Sequence, residues 1–459
     1  MPDAGVLAAV WAAGALGWLL LTWATRRFTR DARAGRGFGG VALLVLGGAF
    51  VLRAVPVGLL PVSLSDDVWR YVHDGRTLAR GENPYVRSPA EDLAAAVAGG
   101  DAATARDLQH VNNKELVTIY QPTSQWVFAG AAALTRWAVT NPDAQDFARM
   151  LRGAFALIDL VVVVLLLAEL RRRGRSAWWA TLYAWCPAVF LETAWAGHQD
   201  GIGVLASVTC LTLAGRAGRG GRGGAYAAAA AGVALALAAG VKPVALPLAL
   251  PLAWGLRARP RRVAVAAGAC VTTLLALYVP FVLMEGGLTG MFETSRSFVT
   301  RWRFNGALHP LFEALAERLG ASPHGPAKRV ADAVCTTLLA GGLAVATWRL
   351  RDAWRVALVW FALMVSLSST VHPWYLLWAL GVLPVARAAA GAWGPFTAAT
   401  WTAALALPWG YVAWLEMAAG RGYTVPVGVQ VLCWAPVVAA AGVGWWLGRR
   451  RAAVSRPRA

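Results

Sequence analysis

The sequence predicts an all-α protein: a polytopic bundle of about 13 transmembrane helices with a long first outer loop that carries interfacial helices. Of its 459 residues, 58% are hydrophobic and 15% are charged, whereas close to a quarter of the residues of a soluble domain are charged. Apolar runs of about 15 to 22 residues recur along nearly the whole chain, and each suffices to cross a hydrocarbon core of roughly 30 Å. Arginine-rich connectors separate these runs, as the positive-inside rule expects of cytoplasmic loops.

The arginine-rich connectors set the predicted topology. They lie at 25–38, 171–175, 215–224, 257–262 and 349–355, at the turn containing Arg387, and in the tail 448–459. Placing them all in the cytoplasm gives spans near 5–24, 39–60, 150–170, 177–191, 198–214, 225–241, 242–256, 263–283, 329–347, 356–370, 374–388, 393–411 and 426–447. The N-terminus is then outside and the C-terminus inside. The first run, 5–24, has no basic residue before it and no clear cleavage site, so we interpret it as a retained helix.

One apolar segment, 122–140, breaks this alternation. It has the length to cross, but a crossing there would move Arg171, Arg172 and Arg173 to the outer side. Its alanines and its two tryptophans, Trp126 and Trp137, suit a helix that lies at the outer interface. We therefore predict an interfacial helix rather than a span.

The predicted outer side collects the remaining polar residues. The chain is interpreted as one membrane domain, 1–459, with a polar outer loop at 61–149 and a second outer loop at 284–328. Short outer turns carry ETAWAGHQDG (192–201), VKP (241–243) and VHPWY (371–375). Polar residues at a membrane face that the positive-inside rule does not explain are candidates for function.

Composition argues against several other classes of protein. The net charge of +19 arises from clusters between apolar runs rather than from a basic surface, so nucleic-acid binding is not expected. The five cysteines lie in apolar runs without metal-ligand spacing, which disfavours disulfides and thiol chemistry. The glycine-rich stretch 215–224 lacks the GK[ST] ending of a P-loop and is interpreted as a flexible connector.

The densest group of polar residues is SLSDDVWRYVHDGRTLARGENPY, residues 63–85. Asp66 and Asp67 precede a helical pattern, and Asp74 follows Asp67 by two helical turns, on the same face. An N-cap and a first-turn acid would explain such a pair without any catalytic role. Capping needs only one carboxylate, however, and a carboxylate at the mouth of a membrane bundle can take the proton of a sugar hydroxyl. Asp67 is the preferred candidate and Asp66 the second.

The outer turn 192–201 brings Glu192, His198 and Asp200 together. The alternatives are a helix cap for Asp200 and a buried, hydrogen-bonded histidine for His198. His198 and Asp200 are two residues apart, which is poor spacing for two metal ligands on one helix face, and a zinc site needs three or four ligands. We therefore expect binding of substrate hydroxyl groups and no metal.

Positive charge on the outer side forms a third group. Lys242 interrupts about 30 apolar residues, so its ammonium needs a partner or access to water. Arg296, Arg301 and Arg303 cluster near Asn305, and His372 opens the VHPWY turn. Anionic lipid headgroups would explain the arginines, while a substrate phosphate would explain the whole set.

These segments resemble the glycosyltransferase C superfold, the membrane transferases that use polyprenyl-phosphate sugars, and in particular bacterial mannosyltransferase-type members. The resemblance rests on SDDVWRYVHDG with GENPY, YQP (120–122), GHQDG, VKP, RWRFN and VHPWY, which run in the family's order from residue 63 to residue 375. It implies an acidic base in the first outer loop, at Asp66 or Asp67. The adjacent acids depart from the family's usual D-x-D or E-x-D, and Tyr120-Gln121-Pro122 departs from Y-P-P.

The resemblance implies a function at the outer face of the bacterial plasma membrane. A sugar, expected to be mannose, passes from a polyprenyl-phosphate donor to a glycan or lipid acceptor in one inverting displacement. No cofactor is required, although adjacent aspartates leave a divalent cation possible. The substrate-binding candidates are Lys242, His372, Arg301, Arg303, Asn305, His198, Asp200, Arg70, Tyr71, Asp74 and Tyr120. A transporter or flippase, and an inactive subunit of an envelope complex, are the alternative functions.

Overall fold

A computed structural model describes residues 11, 14, 16–19, 37–61, 65–219, 221–323, 325–390 and 393–454 of the chain. Most of the predicted first span, 5–24, and of the connector 25–38 lie outside the described residues. Within them the protein is all-helical, without a β-strand, as predicted. The α-helices are α1 (Phe38–Leu59), α2 (Asp67–Leu78), α3 (Pro89–Ala98), α4 (Ala102–Gln109), α5 (Pro122–Ala138), α6 (Ala144–Arg172), α7 (Thr181–Ala184), α8 (Pro187–Phe190), α9 (Asp200–Ala217), α10 (Gly221–Ala239), α11 (Ala249–Gly255), α12 (Pro260–Leu283), α13 (Thr289–Arg301), α14 (His309–Arg318), α15 (Pro326–Leu350), α16 (Ala353–Leu367), α17 (Leu377–Ala390), α18 (Pro395–Ala406), α19 (Val412–Ala418) and α20 (Val427–Val454).

Six of these helices are long and apolar enough to cross a membrane, so the chain is an integral membrane protein. They are Phe38–Leu59, Ala144–Arg172, Gly221–Ala239, Pro260–Leu283, Pro326–Leu350 and Val427–Arg450. Other predicted spans are shorter or broken. The run 177–191, for example, forms short helices interrupted before Pro187 and ends in the π-helix Leu191–Trp195, because proline disfavours helical geometry in the residue before it. Thirteen crossings therefore stay a prediction.

The helix α5 occupies most of segment 122–140. It packs against α2 and α6 on one face, while Trp137 on its other face is 84% exposed. The helix has 17 residues and is not one of the six helices with the length and hydropathy of a span. Its placement at the membrane interface stays a prediction.

A buried ion pair ties the first two long helices together. Arg53 of α1 donates to Asp159 of α6 across 2.5 Å, and its Nη1 reaches the carbonyl oxygen of Ala184 at 2.6 Å. Tyr183 donates to the same carboxylate. The side chains of Arg53, Asp159 and Tyr183 are buried. A low-dielectric interior requires a partner for each buried charge, and here Arg53 and Asp159 are partners of one another.

The two ends of the bundle differ in their polar residues. At one end lie the described arginine-rich connectors 171–175, 257–262 and 349–355, where Arg173 pairs with Asp352 at 2.7 Å and Arg262 donates to the carbonyl oxygen of Gly221 at 3.1 Å. At the other end, Arg152 of α6 donates to the carbonyl oxygen of Leu60, just after α1, at 3.0 Å. The two long loops contact each other, since Asn83 donates to the carbonyl oxygens of Glu285 and Gly287.

Candidate active site

The two adjacent acids at the start of α2 do not cap it. Asp66 occupies the N-cap position, but its side chain accepts no hydrogen bond from the helix. The hydroxyl of Ser65 instead accepts from the backbone N–H of Asp67 at 3.3 Å. Both carboxylates turn to Asn112, whose Nδ2 donates to Oδ1 of Asp66 at 2.7 Å and to Oδ1 of Asp67 at 2.8 Å. Asp66 therefore does not cap the helix through its side chain, Asp67 lies in the first turn as a first-turn acid would, and a single amide holds the pair together.

Arg70, one turn further along α2, holds the loop that carries Asn112. Its guanidinium donates to the backbone carbonyl oxygens of Asn112 at 2.7 Å, Asn113 at 2.8 Å and Leu116 at 2.8 Å. Three bonds from one rigid, always-charged group fix a loop more firmly than neutral bonds do. Arg70 thus positions the amide that holds both acids.

The surroundings of the pair raise the pKa of both carboxyl groups. Burial and then the neighbouring Asp67 raise the pKa of Asp66 to about 7, against the hydrogen bond from Asn112. Burial also raises the pKa of Asp67, against Asn112 and the charge of Lys242. Two carboxylates on one amide titrate as a coupled pair. A carboxyl group that takes up and releases a proton near neutral pH, as Asp66 does, suits a general base.

The acids lie in the wall of a cavity of about 730 Å³. Ten residues predicted from the sequence line it, namely Asp66, Asp67, Arg70, Tyr71, Tyr120, Asp200, Lys242, Arg301, Arg303 and His372. They come from the loops at 65–149 and 284–323 and from three short turns, so the fold brings together segments separated by up to about 300 residues. A pocket of this size and mixed polarity is typical of small-molecule sites.

Lys242 reaches the cavity with its charge already paired. Its Nζ lies 2.7 Å from Oδ1 of Asp200, which also accepts from the indole N–H of Trp378 at 2.7 Å. The ammonium lies 4.4 Å from the centroid of the Tyr375 ring. Lys242 therefore has the partner that its apolar surroundings demand, and its partially exposed side chain still borders the cavity.

The other predicted cations differ in their availability. Arg303 forms an ion pair with Glu313 at 2.6 Å. In the described part of the chain, Arg301 has no acidic partner within ion-pair distance. Burial and the charge of Lys242 lower the pKa of His372 to about 3, so its imidazole is neutral at physiological pH. Arg301 is consequently the most available cation for an anionic ligand.

Five aromatic rings form a continuous stack along the cavity. Tyr423 lies on Phe304 with ring centroids 5.0 Å apart, Phe304 lies 4.4 Å from His372, His372 lies 4.4 Å from Trp374, and Trp374 lies 3.8 Å from His198. Backbone hydrogen bonds fix the segment containing Phe304 to the VHPWY turn, the shortest of them being 2.7 Å, from the N–H of Val371 to the carbonyl oxygen of Phe304. The motifs RWRFN and VHPWY thus form one wall.

Three predicted substrate-binding residues do not line the cavity. The side chain of His198 is fully buried behind Asp67. Asn305 is buried, has a φ of 47°, and its carbonyl oxygen accepts from Trp434. Asp74 is buried and accepts from Nε2 of Gln125 at 3.1 Å. These three lie outside the cavity because their helices and turns direct the side chains into the protein, and their contact with substrate stays a prediction.

Several residues at the site were not predicted from the sequence. Asn112 has no local pattern that marks it, because it follows the two acids by about 45 residues in an irregular loop. Trp374, Tyr375 and Tyr423 line the cavity but resemble interfacial aromatics in sequence. Among the described residues, no three His, Cys, Asp or Glu side chains are grouped as metal ligands would be.

Comparisons with known proteins are few. No family model and no curated protein matches the sequence. The fold is similar to the crystal structure of the oligosaccharyltransferase of Archaeoglobus fulgidus in the apo form, with a TM-score of 0.44 and 12% sequence identity. The similarity covers 88% of this chain and 56% of that one, so the chain spans about half the length of that protein. A likeness of this extent assigns the chain to no family.

Proposed function

We propose that the protein is a glycosyltransferase of the glycosyltransferase C superfold. It transfers a sugar, in our proposal mannose, from a polyprenyl-phosphate donor to a glycan or lipid acceptor. The observation that carries the proposal is the Asp66–Asp67 pair, held by Asn112 in the wall of a cavity that Arg301 and Lys242 also border. The proposal places this cavity at the outer face of a bacterial plasma membrane, at the end of the bundle opposite the arginine-rich connectors.

The acids supply the base in this mechanism. Asp67 accepts the proton of the acceptor hydroxyl, and the oxygen attacks the anomeric carbon of the donor in one displacement with inversion. Asp66 is the alternative base, since the same amide holds both acids and they titrate together. Asp66, whose pKa burial raises to about 7, would be poised for proton transfer near neutral pH.

The cations receive the leaving group. As the glycosidic bond breaks, negative charge develops on the donor phosphate, and Arg301 and Lys242 stabilise it. Lys242 is already oriented by Asp200, so it need not reorganise during the reaction. Charges fixed in advance at a developing anion are usually the largest single catalytic contribution.

The shape of the site fits the proposed substrates. The edges of the stacked rings of Phe304, His372, Trp374 and Tyr423 border the cavity and offer an apolar surface to a sugar face or to the first isoprene units.

The direct test is sugar transfer by purified protein in lipid. Wild type receives polyprenyl-phosphate mannose and a panel of glycan and lipid acceptors, with and without EDTA to test for a metal. Asp67→Asn and Asp66→Asn are compared with Asp92→Asn, a control in the same outer loop that pairs with Arg87 instead. We expect one or both site variants to lose transfer. The control should transfer sugar as wild type does.

Two results would contradict the proposal. Full transfer by both Asp67→Asn and Asp66→Asn would exclude the pair as the base. No transfer by wild type across a broad panel would favour transport, and a flipping assay with the same labelled lipids would then measure it.

A further inference from the structure

A buried chain of titratable groups lies directly behind Asp67. Oδ2 of Asp67 is 3.6 Å from Nδ1 of His198, and Nε2 of His198 is 3.4 Å from Oε2 of Glu192. The hydroxyl of Tyr411 donates to that same Glu192 oxygen at 2.6 Å. The side chains of His198 and Glu192 are at most 1% exposed, so both are shielded from bulk solvent.

The position of Glu192 depends on an unusual helix. It belongs to the π-helix Leu191–Trp195, which follows the short helix α8. Single π-turns are rare and frequently occur at functional sites. The backbone carbonyl oxygen of Glu192 accepts from the N–H of His198 at 2.8 Å, so the same turn also fixes the histidine. Trp374 stacks on the imidazole at 3.8 Å and restricts its rotation.

The number of protons in this chain follows from its geometry. A neutral imidazole has one donor and one acceptor nitrogen, while a carboxylate can only accept. In the structure neither ring nitrogen makes a hydrogen bond, but they lie 3.6 and 3.4 Å from carboxyl oxygens of Asp67 and Glu192. Hydrogen bonds on both sides can form in only two ways. Either the ring is cationic between two carboxylates, or it is neutral and one carboxyl is protonated. In both cases the three groups share two protons and carry one net negative charge.

We propose that His198, supported by Glu192 and Tyr411, is a positioning residue that shares protons with Asp67 and keeps this carboxylate ionised. The second proton then lies on His198 or Glu192, away from the cavity, and Asp67 is free to accept a proton from the acceptor. The inference rests on the proposed function insofar as Asp67 is the base. Other charged or titratable groups also face this chain, namely Asp66, Arg70, Asp200, Lys242 and His372.

Two variants test the role through the pH dependence of transfer. His198→Gln keeps a polar side chain but cannot carry a charge, so Asp67 should hold its proton to higher pH. We expect the acidic limb of kcat/KM to move up by about half a pH unit or more, with an unchanged donor KM because His198 does not touch the cavity. Tyr411→Phe should move the limb in the same direction by less, because Glu192 then takes the proton from His198.

Matched controls separate this role from a structural one. His309→Gln alters another buried histidine that contacts an acid, Asp332 at 2.8 Å. Tyr183→Phe removes another buried hydroxyl that donates to a carboxylate, that of Asp159. Neither should move the limb. Tyr411→Phe should add nothing in a His198→Gln background, because its effect passes through the imidazole.

A second measurement needs no catalysis. Infrared titration of the carboxyl stretch, with the Asp67 band identified by its loss in Asp67→Asn, gives the midpoint of this residue directly. A higher midpoint in His198→Gln supports the inference even if wild type transfers no sugar, in which case only the proposed function fails. An unchanged Asp67 midpoint in folded His198→Gln, or equal limb shifts in the controls, overturns the inference.

Discussion

Replacing Asn112 tests how far its amide lowers the pKa of Asp66 and Asp67. In Asn112→Ala, Asp66 and Asp67 each lose a hydrogen bond of 2.7 or 2.8 Å. A hydrogen bond to a charged group contributes about 1.5–3 kcal/mol. One pKa unit corresponds to about 1.4 kcal/mol, so complete loss would raise the pKa of the pair by roughly 1–2 units. Because water from the cavity can replace part of the amide, we expect a rise of about 1 unit.

The sign of the effect on activity follows from the base role. Burial already raises the pKa of Asp66 to about 7 and also raises the pKa of Asp67, and loss of the amide raises both further. With Asp66 as the base, its ionised fraction at pH 7 falls from about one half to about one tenth and transfer falls about five-fold; with Asp67 as the base, transfer at neutral pH changes in the same direction. At about pH 9 the ionised form predominates in both proteins, and the difference should largely disappear.

The assay is the pH profile of sugar transfer in lipid, measured for wild type and Asn112→Ala. Asn83→Ala is the control, because Asn83 also donates two hydrogen bonds in the same outer loop, to the carbonyl oxygens of Glu285 at 2.9 Å and Gly287 at 2.8 Å. The control should leave the acidic limb in place. An equal loss of activity at every pH in Asn112→Ala would refute the reasoning, since it would indicate a folding defect or a direct contact with substrate.

Three further variants have distinct expected outcomes. Lys242→Met leaves the buried Asp200 unpaired. Because Lys242 is 26% exposed, we expect the free energy of unfolding to fall by about 2 kcal/mol, less than the 3–5 kcal/mol of a fully buried pair. Denaturation in detergent measures this loss. The double variant with Asp200→Asn should regain stability but not transfer. Arg53→Met leaves Asp159 uncompensated and should cost about 3–5 kcal/mol, with restored stability in the double variant containing Asp159→Leu. Arg301→Ala should raise the donor KM about ten-fold with little change in thermal stability, because a cation near a phosphate contributes on the order of 1–2 kcal/mol; an unchanged KM would exclude Arg301 from the phosphate site.

Replacing both Arg53 and Asp159 also separates an effect on stability from an effect on function. Arg53 and Asp159 lie between α1 and α6, and neither borders the cavity. Activity per folded molecule should therefore survive their joint replacement. If it does not, the ion pair has a role beyond stabilising the bundle.

The sequence determined the class of the protein and most of the candidate residues. Long apolar runs leave no alternative to membrane helices, because an unpaired backbone amide in hydrocarbon costs several kcal/mol. Polar residues between or within the apolar runs, including Asp66, Asp67, Lys242 and His372, could be identified from one chain because the positive-inside rule does not explain them. Ten of them prove to border one cavity.

The lengths and breaks of the helices could be predicted less well from the sequence. The run 177–191 has the composition of a span, yet it folds as short helices and a π-turn. Hydropathy measures how apolar a segment is, and it does not report whether neighbouring helices will satisfy a backbone that departs from α-helical geometry. The position of Glu192 could not be foreseen for that reason.

Only the tertiary structure decided what each polar side chain contacts. His198 and Asp200 are two residues apart in one turn, yet His198 lies behind Asp67 while Asp200 pairs with Lys242 in the cavity wall. Asn112 joins the two acids from an irregular loop about 45 residues away. Periodicity and hydropathy are local quantities that place a residue at a membrane face. Partners are set by how separate segments pack, so the arrangement of the site is a property of the folded chain alone.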